Sequence, residues 1–337
     1  MTFTQTSRRL LLPRISRTMS KIQRLPWLPV FVALIAMLVF FSLVNHNFLT
    51  SRNLINIGTD MAEIGVMAIA ATIVISAGGI DLSVGGVLAL SAIVGAHLLQ
   101  HGGLDFIITG IVVTLVVAIA LGMANGCLSV YASLPPFVVT LATLGITLGL
   151  GYQFSNGTGV AGIPASLSSD FGFAEFGGLP APLLLLIVLA LFGIYVMSHT
   201  RFGIRNYAIG SNLSAADRAG VDTRRHMVAV YALSGFLAGV AGVIDVSRFS
   251  TAAVAAHQTD VLPVITAAVI GGTSLFGGIG TIGGTMVGVA IIGVLTNGLV
   301  LMGVHPYMQQ VATGGFLLAA LLFQQFRRVR KTALPDN

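Results

Sequence analysis

The chain has 337 residues, 55% of them hydrophobic and only 8% charged, with a mean hydropathy of +0.94 and a formal net charge of +6. That composition excludes a water-soluble domain and describes a polytopic membrane protein. At roughly 20 residues per crossing there is room for about ten spans and no separate soluble unit. The single cysteine, Cys127, excludes a disulfide framework or a cysteine metal cluster within one chain.

Residues 1–26 read as a basic cytoplasmic tail, with Arg8, Arg9, Arg14, Arg17, Lys21 and Arg24 and no acid among them. The apolar run that follows, "LPWLPVFVALIAMLVFFSLV", is too long for a signal peptide, and "NHNFLT" after it offers no small-residue cleavage site. It is predicted to be an uncleaved first helix with Trp27 at its interface. The hydrophobic runs predict spans near 27–45, 61–77, 82–99, 106–130, 136–153, 180–198, 227–247, 261–276, 284–303 and 307–326. Between 154 and 180 the chain is too rich in Gly, Ser and Pro to cross.

All but two of the other cations, Arg52 and Arg248, sit between 199 and 226 (Arg201, Arg205, Arg218, Arg224, Arg225) and in the 327–337 tail (Arg327, Arg328, Arg330, Lys331). Positive residues stay on the cytoplasmic side, so these segments and both termini are predicted inside. The expected fold is an all-α polytopic transmembrane helical bundle of about ten spans, with the transmembrane domain over 27–326. Each five-span half would start from the opposite side of the membrane, as an inverted repeat requires, although no residue-level self-similarity accompanies it.

In "SAGGIDLSVGGVLALS", residues 76–91, Asp81 is a carboxylate among glycines and aliphatics. It reads as the cap of a helix beginning near Leu82. An intramembrane acid can also shape a translocation path, and both readings stand. Ser83, Asn125, Thr140, Thr143, Gln153, Asn297, Gln309 and Gln310 are the other candidate path groups, able to hydrogen-bond hydroxyls or to tie helices together. The glycine-rich "AAVIGGTSLFGGIGTIGGT" at 267–285 lacks the lysine of a phosphate cradle and reads as close helix packing or a tight turn. In "SNLSAADRAGV", Ser214 and Asp217 have capping-box spacing and Gly220 is a stop. This surface helix serves topology alone or docks a soluble partner. His97, His101, His199, His226, His257 and His305 fall at span ends or loops, at no ligand spacing such as H-E-x-x-H. No catalytic, cofactor-binding or metal-binding residue is predicted.

Four patches, in order along the chain, resemble the membrane subunit of bacterial ATP-binding-cassette importers, in the ribose and monosaccharide branch related to branched-chain amino acid permeases. They are Ser76 to Gly85, "PPFVVTLATLG" from Pro135 to Gly145, the pattern Thr200, Gly203, Ala208-Ile209-Gly210, Asn212, Ala215-Ala216, Gly220-Val221, and "AAVIGGTSLFGG" from Ala267 to Gly278. The resemblance implies a permease of the inner membrane, a second permease subunit, a cytoplasmic ATPase that uses the ATP, and a periplasmic sugar-binding protein. It also implies that Asn212, Ser214, Ala215, Ala216, Asp217, Arg218 and Gly220 form the coupling helix against the ATPase. Many members carry an acid just before "VIGG", where this chain reads Leu262-Pro263-Val264 and Asp260 comes early. A sugar derivative, polyol or autoinducer-type substrate therefore stays open, and an ion-coupled secondary transporter is the rival class. Nucleic acid is not an expected partner.

Overall fold

The computed structural model describes residues 28–333, with side chains over 30–322. The basic tail and Trp27 lie outside the described residues, as do the side chains of the C-terminal cations. Twelve helices of six or more residues follow in order among them: α1 Leu28–Val44, α2 Ser51–Ser76, α3 Val84–Leu99, α4 Leu104–Val130, α5 Pro136–Phe154, α6 Ala181–His199, α7 Arg201–Ser211, α8 Leu213–Arg218, α9 Thr223–Phe249, α10 Val261–Ile270, α11 Ile282–Leu301 and α12 Pro306–Ala333. Every apolar run singled out in the sequence is helical. Six of these helices (α2, α4, α5, α6, α9 and α11) are long and apolar enough to cross a membrane, whereas α1, α3 and the stretch Val254–Ile270 are shorter.

Two boundaries differ from expectation. The polar start of α2, from Ser51 rather than 61, is set by Thr50, whose side chain accepts from the Asn53 amide and caps the helix. The run predicted to end at 276 stops at Ile270, because the glycines after it turn the chain: Gly272 has φ +97° and Gly277 φ +80°.

Helices α2, α3 and α9 form the centre, with α9 packed along α4, α2 and α3, and α2 also against α11, α6 and α10. Burial separates the layers: 83% of the most apolar window of α2 is buried, against 22% for α4 and for α5. Small residues permit the closest crossings. A Cβ on Gly122 or Gly235 would collide with the backbone of the facing helix, α9 or α4 respectively. Glycines 271, 284 and 288 likewise press α10 and α11 together, as the glycine-rich stretch predicts.

The 154–180 connection lies across one end of the bundle, here called distal. Strand β1 (Val160–Ala161) pairs antiparallel with β4 (Thr251–Ala252), and β2 (Glu175–Phe176) forms a hairpin with β3 (Leu179–Pro180). Val160, Ile163 and Leu167 pack on Ala92, Ile93, Val246 and Val254 as a small separate core. Because α6 runs from this connection to α7, helices α7 and α8 lie at the other, proximal end.

Candidate functional site

The segment 77–83 joins α2 to α3 inside the bundle, and helical hydrogen bonding ends at its first residue, Ala77, whose amide donates to the Ile73 carbonyl at 3.2 Å. Non-helical backbone is tolerated at membrane depth only where protein satisfies it. The Gly79 amide donates to the Val74 carbonyl at 3.0 Å, and the Ile80 carbonyl accepts from Thr140 Oγ1 and from the Tyr231 hydroxyl, each at 3.2 Å. Asp81 closes the segment. Its Oδ1 accepts from the Ser83 amide at 2.9 Å and Ser83 Oγ at 2.6 Å, and its Oδ2 accepts from Ser234 Oγ at 2.7 Å.

The expected cap is thereby corrected: α3 begins at Val84, Ser83 occupies the N-cap position without a side-chain cap bond, and Asp81 makes a turn to its own i+2 residue. The chain of donors extends further. Thr143 Oγ1 donates to Asn125 Oδ1 at 2.6 Å, Asn125 Nδ2 donates to Ser83 Oγ at 2.8 Å, and Ser83 Oγ donates to Asp81. Five candidate path residues (Asp81, Ser83, Asn125, Thr140 and Thr143) thus belong to one network that ties the broken segment to α4, α5 and α9. Along the chain from Thr143 through Asn125 and Ser83 each donor points toward the carboxylate, so those bonds polarise one another, while Thr140 holds the Ile80 carbonyl. Buried at 6% exposure, Asp81 is paired with hydroxyls and an amide, with no cation bonded to it among the described residues.

The remaining candidates lie elsewhere. Asn297 exchanges two hydrogen bonds with Asn53 at 2.8 and 2.9 Å, pinning α11 to α2. Gln309 Nε2 donates to the Val304 carbonyl at 2.9 Å and Gln310 Nε2 to Thr259 Oγ1 at 3.4 Å. Gln153 sits on an exposed face of α5 that also presents Val138, Leu141, Gly145, Ile146, Gly149 and Leu150.

At the proximal end, α7 rests on the end of α2 and on the 271–281 turn. Gly210 is packed so that a Cβ would strike the Ser76 carbonyl oxygen, which also accepts from the Gly278 amide at 3.0 Å. Asn206 Nδ2 donates to the Ile73 carbonyl at 3.0 Å and to Ser76 Oγ at 2.8 Å, while its Oδ1 faces His226 Nε2 at 3.1 Å. Tyr207 donates to the Gly280 carbonyl at 2.8 Å, and its burial raises its pKa above the usual value, which keeps it a protonated donor. Three of the sequence patches that carry the family resemblance meet at this junction, and the fourth joins through Thr140 and Thr143.

Helix α8 corrects the capping reading. Its N-cap is Asn212, whose Oδ1 accepts from the Ala215 amide at 2.9 Å, and Ser214 and Asp217 form no capping box. The stop at Gly220 is as expected, with φ +81°. Ala216 faces inward at 5% exposure, so the outward face of α8 is Leu213, Ser214, Ala215, Asp217 and Arg218. Leu213, 56% exposed, is the largest apolar group on it.

One constellation escaped the sequence reading. His257 Nδ1 lies 2.7 Å from Asp260 Oδ2 and 3.4 Å from Glu63 Oε1, and Nε2 lies 3.2 Å from Asp245 Oδ2. Chain distance hid it, since Glu63, Asp245 and His257 come from α2, α9 and the turn before α10. The only local signal was the i, i+3 spacing of His257 and Asp260.

A profile of the permease component of branched-chain amino acid transport systems matches residues 53–321. The chain belongs to that family. It is 39% identical to the ribose import permease protein RbsC of Bacillus subtilis, over 88% of this chain and 91% of the relative. It is 35% identical to the D-allose transport system permease protein AlsC of Escherichia coli, over 86% and 89%, and 32% identical to the xylose transport system permease protein XylH of that organism, also over 86% and 89%. No solved structure gave a significant match.

Proposed function

We propose that this chain is the membrane permease subunit of an ATP-driven importer that moves a monosaccharide, ribose or a related pentose or hexose, across the bacterial inner membrane. The observation that carries the reading is the similarity to the ribose import permease over nearly the full length of both chains. A separate cytoplasmic ATPase supplies the energy, a periplasmic sugar-binding protein delivers substrate, and this subunit does no covalent chemistry. A second permease subunit completes the path, and the exposed α5 face with Gly145 and Gly149 four residues apart suits close contact with it.

The geometry supplies a coupling route. Leu213 and its neighbours on α8 meet the ATPase, and α7 carries the displacement to Ser76 through the Gly210 backbone contact. Ser76 begins the broken segment, so movement there changes how 77–83 and the Asp81 network are held. ATP binding biases two arrangements of this junction by its differential affinity for them.

The ten-span topology with both termini inside belongs to the same proposal. So does the inverted repeat: α3 and α10 are both short, yet α3 runs toward the distal connection and α10 toward the proximal junction. Reconstitution of the chain with its ATPase and binding protein should give ATP-dependent uptake of labelled ribose or a competing pentose or hexose. Uptake that is indifferent to ATP and to the binding protein would refute the proposal.

A further inference from the structure

Glu63, Asp245, His257 and Asp260 bring three carboxylates and one imidazole together at the distal end of α9, with the His257 carbonyl packed on Gly85 at the start of α3 and none of the four hydrogen-bonded to the Asp81 network among the described residues. His257 is 3% exposed, and its Nε2 makes no hydrogen bond although Asp245 Oδ2 is 3.2 Å away. Even a protonated imidazole leaves two negative charges if all three acids are ionised. The neighbouring charged pair gives no help, because Arg248 is committed to Asp60 at 2.6 Å. Uncompensated charge is costly in such surroundings, so a cation or extra protons must balance it.

We propose that this cluster is a binding site for a divalent transition-metal cation of the Mn2+ class. Ligand atoms of Glu63, His257 and Asp260 all lie within 4.8 Å of one another, close enough that small rotations of the two carboxylates bring all three to bonding distance of about 2.0–2.2 Å from a single ion. One imidazole nitrogen and two carboxylate oxygens are a mixed donor set suited to such an ion. On binding, the proton that His257 Nδ1 shares with Asp260 is released to solvent, and the Nδ1 lone pair and the two carboxylates coordinate the metal. Asp245 stands behind the ring, placed to accept from Nε2 and fix the imidazole, the arrangement that orients metal-bound histidines. Side-chain exposures of 13% for Glu63 and 18% for Asp260 leave an entry on that side only. The bound ion links α2 to the turn that launches α10, and through His257 to α9. This inference is independent of the transported substrate.

The test uses the full-length, tag-free chain in lipid nanodiscs, stripped with chelator and titrated with Mn2+ while free Mn2+ is followed by electron paramagnetic resonance. The expected result is one saturable Mn2+ per chain, with a single imidazole nitrogen coupled to it in the pulsed experiment. Glu63→Gln and Asp260→Asn should abolish saturation, and Asp245→Asn should weaken binding about 10–100-fold, as loss of an orienting carboxylate does. Absence of saturable binding by the wild type, bound Mn2+ without nitrogen coupling, or binding undiminished in Glu63→Gln and Asp260→Asn would each overturn the site. The wild-type measurements decide the matter even if a variant fails to insert.

Discussion

Replacing Asp81 separates a simple helix cap from a carboxylate that organises the broken segment. A cap alone is worth about 1 kcal/mol. The structure gives Asp81 three donors: the Ser83 amide and hydroxyl on Oδ1 and the Ser234 hydroxyl on Oδ2. In Asp81→Asn the amide oxygen can keep both Ser83 bonds, and the Ser234 hydroxyl can rotate to accept from the new NH2. What is lost is the charge assistance, about 1–2 kcal/mol over the three bonds. Asp81→Ala leaves three buried donors without an acceptor, and at about 1–3 kcal/mol each, with partial relaxation of the two hydroxyls, the loss should reach about 3–5 kcal/mol. Thermal unfolding of the purified subunit in detergent, repeated with Ser234→Ala in a double-mutant cycle, reads both numbers. A positive coupling between positions 81 and 234 of about 1 kcal/mol is expected. If Asp81→Ala costs no more than a cap and shows no coupling to Ser234, the network is not what holds the segment.

Gly210→Ala should destabilise the fold by about 3 kcal/mol and stop uptake, because its Cβ meets the Ser76 carbonyl, whereas Gly145→Ala, with open space around it, should leave stability unchanged in the same melting assay. Leu213→Asp should abolish co-purification of the ATPase while the subunit inserts and melts normally. Ala216→Trp should instead lower stability, since Ala216 is buried against its own chain, and normal melting of that variant would contradict the inward placement of α8. Asn297→Ala leaves Asn53 Oδ1 without its donor, while Asn53 Nδ2 keeps the Phe48 carbonyl, and should cost about 1 kcal/mol in the same assay. Reporters fused after Gly220 and within 154–180 should report opposite sides of the membrane, and a shared side would overturn the topology.

Hydrophobic composition and the spacing of apolar runs were enough to read a helical membrane protein, because each crossing must satisfy its own backbone and so leaves a local record in the chain. The glycine-rich 267–285 stretch was legible for the same reason: residues without side chains in an apolar run imply close approach of backbone. Asp81 stood out as an acid in a break, yet its partners did not, since Asn125, Thr143 and Ser234 are brought to it by three different helices. Helix α8 showed its stop at Gly220, whereas its true N-cap, Asn212, and the inward turn of Ala216 depended on how α7 seats against α2. The His257 cluster was least visible, because its members are separated by up to 197 positions, from Glu63 to Asp260, and no short-range pattern records a contact between distant segments. Local chemistry thus determined which stretches become helices and where they break, while packing of α4, α5 and α9 around the broken segment, and of α2, α9 and α10 around His257, decided which of the few polar side chains meet.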